Sequence, residues 1–316
     1  MNLLEEQAIA AVSIKNVLFA TDFSATSEAA LPYAVAISRR YGSLLHVAHV
    51  IPQSYLMVMS GGLDPANFKS VCDGARSDAE EKMQSLTGRF EDVPHRTYLA
   101  HGDVWDGLSN LIRTQAIDMV VLGTHGRGGV EKLLLGSVAE EIFRQAYCPV
   151  LTVGPRVFGR SKVPLVPNWG NDLAPLELDL QEIVYATDFS PESLVAVPYT
   201  VSLAREFQAR LAILYVVEES AGRKDISDFL DATLQRLMKI IPDAAGLWHA
   251  PEPVLEFGTP GEGILKAAAE RNADLIVLGA RPPAGHLTVA THLPWRTAHQ
   301  VVAEATCPVL SVRGRV

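Results

Sequence analysis

The chain is short of several things at once. It has three cysteines, Cys72, Cys148 and Cys307, in 316 residues, too few and too far apart for a disulfide framework or a CxxC metal site. No apolar run approaches the roughly 18 residues that a membrane helix needs. Lysine and arginine are nowhere concentrated, and the formal net charge is −9. That argues against sequence-independent nucleic-acid binding, which depends on neutralising phosphates. The N-terminus, Met1-Asn2-Leu3-Leu4-Glu5-Glu6, lacks the basic start and apolar centre of a signal peptide. Two common fingerprints are missing as well. There is no GxxxxGK[ST], and where a GxGxxG would follow the first strand the chain reads Thr21-Asp22-Phe23-Ser24. These absences predict a soluble protein of a reducing compartment, the cytoplasm, with no membrane and no nucleic-acid partner.

What the chain has is a repeat. Val17-Leu-Phe-Ala-Thr-Asp-Phe-Ser24 returns as Ile183-Val-Tyr-Ala-Thr-Asp-Phe-Ser190, Asp118-Met-Val-Val-Leu-Gly123 as Asp274-Leu-Ile-Val-Leu-Gly279, and Cys148-Pro-Val-Leu-Thr-Val153 as Cys307-Pro-Val-Leu-Ser-Val312. Three separated matches in the same order mean two tandem copies of one domain. We place them at residues 1–154 and 179–316, joined by a proline-containing linker at 155–178. The length suits two domains of roughly 150 residues, and a hydrophobic content of 48% supplies cores for both.

Each copy alternates strand and helix patterns. In copy one, strands fit 15–20, 44–50, 95–100, 118–123 and 149–153, and helices fit 25–41, about 68–89, 104–115 and 136–146. Alternation of this kind is the pattern of an α/β fold, a parallel sheet with helices on both faces. Ser190-Pro191 reads as an N-cap and first-turn proline. Pro32 and Pro198 fall inside the first helix of each copy and predict a kink there. Residues 51–66 form a connection ten residues longer than its counterpart, which reads equally as a lid or as a variable surface loop.

The most informative stretch is Asp118-Met-Val-Val-Leu-Gly-Thr-His-Gly-Arg-Gly-Gly129, running on to Gly136-Ser137. A buried strand ends in a glycine-rich turn, and a helix start follows. Such turns cradle phosphate, because backbone N–H groups converge and glycine admits a ligand to the main chain. A tight βα connection needing positive φ angles has the same look. Parallel sheets bind ligands at the carboxyl ends of strands, where strand order reverses. If strands one and four are neighbours at that point, Asp22 faces the glycine turn across one crevice and can accept from a ribose.

The spacing Gly123-x2-Gly126-x9-Gly136-Ser137, with Ala-Thr-Asp-Phe-Ser after strand one and Cys-Pro-Val-Leu-Thr-Val at the last strand, resembles the universal stress protein family across both copies. The resemblance implies two tandem open five-stranded sheets of order 3-2-1-4-5, Rossmann-like and similar to the adenine nucleotide alpha hydrolases. It implies ATP binding, with Ala20, Thr21 and Asp22 on the adenosine and Val50 on the adenine. Gly123, Gly126, Arg127, Gly128 and Gly129 would line the triphosphate, and Gly136, Ser137 and Val138 would complete the phosphate site. Mg2+ or Mn2+ would ride on the phosphates. The last strands of the two copies would pair across a pseudo-two-fold, giving an intramolecular pseudo-dimer. Protein partners, and association of two chains into a homodimer, are left open.

Copy two departs from the pattern. Pro282 stands at the Gly126 position and Trp295-Arg296 at Gly136-Ser137, so the phosphate half is expected to be lost and one ATP site retained. The resulting function is a nucleotide-dependent stress-response regulator. The alternatives are a slow ATP hydrolase, for which His125 is the one acid–base candidate, and a stress protein without nucleotide. No catalytic residue and no protein metal site is assigned. His46 and His49, three apart on a strand, read as packing or edge residues. His286, His292 and His299 lack a ligand spacing. Asp118 and Asp274 read as strand-start hydrogen-bond acceptors. Cys148 and Cys307 read as buried thiols, Asp103 as a helix cap and Trp105 as packing.

Overall fold

The structure, a computed structural model, describes residues 12–59, 65–124, 135–159, 178–218, 226–242, 245–280 and 292–313. Copy one contributes strands β1 (Asn16–Ala20), β2 (Leu44–Pro52), β3 (His95–Gly102), β4 (Met119–Gly123) and β5 (Val150–Val153). Copy two contributes β6 (Glu182–Ala186), β7 (Arg210–Val217), β8 (Glu252–Phe257), β9 (Leu275–Gly279) and β10 (Val309–Val312). The helices of copy one are α1 (Ala25–Glu28), α2 (Leu31–Tyr41), α3 (Gln53–Met59), α4 (Pro65–Thr87), α5 (Val104–Thr114) and α6 (Ser137–Gln145). Those of copy two are α7 (Pro191–Leu194), α8 (Val197–Phe207), α9 (Ile226–Met238), α10 (Pro260–Glu270) and α11 (His292–Glu304).

The strands form a single ten-stranded sheet in the order β3-β2-β1-β4-β5-β10-β9-β6-β7-β8. Each half runs 3-2-1-4-5, the order the family resemblance implies, and is parallel throughout, as the alternation of strands and helices predicts. The halves join where β10 meets β5 antiparallel, with Leu310 opposite Leu151. Because the inner strands are covered on both faces, they read as continuous apolar runs. One apolar layer holds Phe19, Val47, Val121, Tyr185, Ile213 and Leu310. The layer on the opposite face holds Leu18, Val50, Val120, Val184, Leu214 and Val309. Each layer runs through both copies.

The first helix of each copy corrects an expectation. Residues 25–41 form two helices, not one kinked helix, with Ala29 and Ala30 in the turn between them. Pro32 then sits in the first turn of α2, and Pro198 likewise in α8. Proline is suited there because its missing N–H would have no intrahelical partner anyway. Within residues 51–66, Ile51 and Pro52 end β2, a helix follows, and residues 60–64 lie outside the described residues. Helix α3 spans Gln53–Met59 and is anchored by buried Leu56 against Ile51 and Ala79, while Met57, Val58 and Met59 face outward. The linker begins as a 3-10 turn at Pro155–Gly159 with Val157 buried, and residues 160–177 lie outside the described residues.

Several small expectations hold. The Ser190 hydroxyl accepts from Ser193 N at 3.2 Å, and Asp103 caps α5 by accepting from Asp106 N at 3.0 Å. Trp105 packs half-buried on the apolar layer beneath α5. Asp118 Oδ2 accepts from Lys15 N and Asn16 N at 2.8 and 2.9 Å, and Asp274 Oδ2 accepts from Gln181 N and Glu182 N at 2.8 and 3.0 Å. Cys148 and Cys307 are buried. Burial, and then the nearby Asp274 carboxylate, push the Cys307 thiol up to about 12. The histidine pair does point to opposite faces, but not from an edge, since β2 lies between β1 and β3.

Candidate functional site

Strand order reverses between β1 and β4, which pair in parallel with Ala20 opposite Leu122. Beyond their carboxyl ends stand Thr21 and Asp22 on one side, and Gly123 and Thr124 on the other. The neighbour on the far side of β1 is β2, where Ala20 pairs with Ala48, two residues before Val50. Ala20, Val50 and Leu122 share one apolar cluster with Leu135 and half-buried Val138. That cluster forms an apolar floor beneath the strand ends.

The turn after β1 is held by its own side chains. Thr21 is buried, and its hydroxyl lies 2.9 Å from that of Ser27 while accepting from Phe23 N at 2.9 Å. Asp22 Oδ1 accepts from Ser24 N at 3.0 Å. Phe23 takes the left-handed conformation at φ 59°, which sharpens the turn. The Thr21 hydroxyl is therefore built into the fold, as is its N–H, which donates to Ala48 O at 3.0 Å. Copy two repeats the arrangement with Thr187, Ser193 and Phe189 at φ 61°.

Opposite this turn, Thr124 is fully buried. Its N–H donates to Val153 O at 3.0 Å, and its carbonyl accepts from Gly136 N at 2.7 Å. This pair of bonds closes the base of the segment 125–134, which lies outside the described residues together with His125, Gly126, Arg127, Gly128 and Gly129. Gly136 is the N-cap of α6 with φ −59° and ψ 147°, and none of the described side chains caps it. The first-turn N–H groups at Ser137 and Val138 thus open a helix N-terminus without a capping oxygen, an arrangement suited to an anion.

Two glycines here have packing reasons. A Cβ on Gly123 would lie 2.6 Å from Thr26 O, because α1 crosses the end of β4. The equivalent Gly279 is as constrained, with Glu192 O at 2.2 Å from such a Cβ. Gly107 of α5 faces Val50, and a Cβ there would meet Val50 Cγ2 at 3.0 Å. That contact holds α5 close to the apolar floor. The sequence carries a sign of it in the recurrence of Gly107 as Gly263, where a Cβ would meet Val216 Cγ1 at 2.7 Å.

The matching end of copy two is built differently. Counting back from the paired terminal strands, Arg296 occupies the Ser137 position, yet α11 starts four residues earlier, at His292. The first-turn N–H groups are thereby displaced from the place they hold in copy one. Gln300 of α11 also presses on α10, where a Cβ on Gly261 would meet its Oε1 at 2.2 Å. Residues 281–291, which include Pro282 and His286, lie outside the described residues, as does the side chain of His292.

Other groups can be assigned to the fold. His46 is buried at the amino end of β2, with Nδ1 2.9 Å from Tyr98 Oη and Nε2 3.1 Å from Asn16 Oδ1. Burial, and then Arg96, lower its pKa. His49 is buried under the turn after β1, where its Nδ1 lies 2.8 Å from Thr21 O, a contact that periodicity alone did not reveal. Among the described residues no three His, Cys, Asp or Glu side chains gather as a metal site, and no helix is long and apolar enough to cross a membrane.

Comparison with known proteins bears on this geometry. The family model of the universal stress protein family matches residues 13–154 and 180–313. A universal stress protein of Thermus aquaticus is 34% identical over 136 residues, covering 42% of this chain and 97% of its own length. Universal stress protein MJ0577 of Methanocaldococcus jannaschii is 26% identical over 155 residues, covering 45% of this chain and 96% of its own. The crystal structure of a universal stress protein from Archaeoglobus fulgidus aligns over 96% of this chain and 99% of its own with a TM-score of 0.65 at 20% identity, a likeness of fold.

Proposed function

Because the chain belongs to the universal stress protein family, we propose that it is a nucleotide-dependent stress-response regulator that binds a single ATP, in copy one, and acts through conformation or protein partners. The observation that carries this reading is the α6 N-terminus at Gly136, uncapped by any described side chain. It stands beside the β1/β4 reversal, and the equivalent helix of copy two runs straight through the matching position.

In this reading the adenine rests on the apolar floor of Ala20, Val50 and Val138, and Asp22 accepts from the ribose. Thr21 anchors the turn that presents Asp22, its N–H held by Ala48 O. Ser137 and Val138 offer N–H groups to phosphate. Gly136, whose own N–H is held by the Thr124 carbonyl, lets the ligand approach the main chain, and Gly123 lets strand β4 end close by. Gly126, Arg127, Gly128 and Gly129 complete the phosphate cradle by their place in the glycine spacing. The donor set fits a polyphosphate, since main-chain N–H groups at a helix start complement negative charge. A divalent cation, Mg2+ or Mn2+, would take its oxygens chiefly from the phosphates, because no carboxylate cluster among the described residues provides them.

Calorimetric titration with ATP and Mg2+ tests the reading. A stoichiometry near one per chain is expected, and Gly126→Pro, which installs the residue of copy two, is expected to abolish binding. A stoichiometry near two, or binding that survives Gly126→Pro, overturns it.

A further inference from the structure

We propose that His49 is a positioning residue for the nucleotide site, acting through the main chain of the turn that carries Asp22; this inference rests on the ATP reading above. His49 lies on β2 next to Val50, but its side chain points to the other face of the sheet, as successive strand residues must. There it is buried, its ring 4.5 Å from that of Phe23. Its Nδ1 is 2.8 Å from the carbonyl oxygen of Thr21. A carbonyl oxygen can only accept, so Nδ1 carries the proton and the imidazole is the donor.

That bond fixes one peptide plane. The Thr21–Asp22 peptide is trans, as no cis bond occurs, and in a trans peptide the C=O and the following N–H point in opposite directions. Pulling the Thr21 carbonyl towards His49 therefore turns the Asp22 N–H away from it, to the side where Ala20 and Val50 form the apolar floor. The Asp22 carboxylate leaves the same Cα, and its Oδ1 is already steered by Ser24 N at 3.0 Å. His49 thus sets where the main chain of Asp22 lies, and Ser24 sets where its side chain lies.

Copy two supplies the contrast. The residue equivalent to His49 is Tyr215, which stacks on Phe189 at 5.2 Å. The turn keeps the same shape there, held by Thr187 and Ser193. An aromatic ring at this place is thus sufficient for the fold of the turn. The histidine adds a donor aimed at the Thr21 carbonyl, in the copy that carries the complete glycine spacing.

The test is a pair of variants measured for ATP affinity by calorimetry. His49→Phe keeps a ring against Phe23 and removes the donor. His49→Asn places an amide nitrogen near where Nδ1 was and retains it. We expect His49→Phe to weaken ATP binding about tenfold, the weight of one hydrogen bond in a preorganised site, and His49→Asn to recover most of that loss. Combined with Asp22→Asn, His49→Phe is expected to add little further loss, because both act through one segment. The inference is overturned if His49→Phe binds ATP as wild type does, if His49→Asn is as weak as His49→Phe, or if the losses with Asp22→Asn simply add. Wild-type protein that takes up no ATP would overturn the site itself, a result distinct from all three.

Discussion

Asp118 and Asp274 sit at equivalent positions, and each closes the start of its sheet by accepting two backbone N–H groups on one carboxylate oxygen. Removing the acceptor leaves the part-buried Asn16 N–H without its partner, while the exposed Lys15 N–H can turn to water. Asp118→Ala is expected to cost roughly 1–3 kcal/mol, read from the urea midpoint, while ATP affinity should be unaffected because the proposed nucleotide site is at the other end of the strands. His46 gives a pH-dependent expectation. Its pKa is lowered from 6.5 by burial first and by Arg96 second, so the folded state resists a proton that the unfolded chain accepts. Stability is then lost as pH falls below the unfolded value, towards the depressed folded one. The urea midpoint of the wild type should fall more between about pH 7.5 and about pH 5.5 than that of His46→Gln, and equal falls would count against this. Both aspartates were legible in the sequence because the repeat kept them where the glycines changed. The contacts of His46 and His49 were not, because periodicity gives the face of a residue but not its partner.

At the scale of elements, the glycine turn illustrates what a repeat can and cannot separate. Gly123 matched the nucleotide pattern, yet Gly279 survives in copy two where the rest of that pattern is gone. The structure shows why: α1 and α7 pass so close to the ends of β4 and β9 that a Cβ would strike backbone atoms. Gly279→Ala is accordingly expected to destabilise the protein, by on the order of 1–3 kcal/mol, without lowering ATP affinity. Gly123→Ala should lose both together and so is the poorer probe of the ligand. Thermal unfolding and calorimetry on the two variants separate these outcomes. The strands were readable to within two residues because buried apolar runs are bounded by charge and glycine. The split between α1 and α2 was not, because a proline inside a helical pattern reads as a kink when the preceding Ala29-Ala30 gives no turn signal. Helix α3 was missed for a related reason: with only Leu56 buried in Gln53–Met59, seven residues show no amphipathic period.

The whole molecule behaves as one sheet with two faces, and this bears on how it unfolds. The antiparallel β5–β10 pair buries two edge strands that would otherwise be exposed and apolar. The last helix of each copy is also tied to the other copy at its C-terminal end. Arg313, after β10, donates to the carbonyls of Phe143, Arg144 and Ala146 at the end of α6, and burial lowers its pKa to about 10. Arg156, after β5, donates to Glu304 O at the end of α11 at 3.3 Å. A cation at a helix C-terminus complements the helix dipole, so each copy helps close the other. The apolar layers are likewise shared, with Leu151 and Leu310 meeting at the seam. The two copies should therefore melt together. Calorimetry is expected to show one cooperative transition, and ATP bound at the proposed site in copy one should raise the whole of it by mass action. Leu310→Asp places an unpaired charge in the shared layer, at a cost on the order of several kcal/mol. Although the substitution lies in copy two, it should lower the temperature at which ATP binding is lost by as much as the midpoint seen by circular dichroism. Two separate transitions, with ATP moving one and Leu310→Asp the other, would instead mean that the seam joins two independent domains.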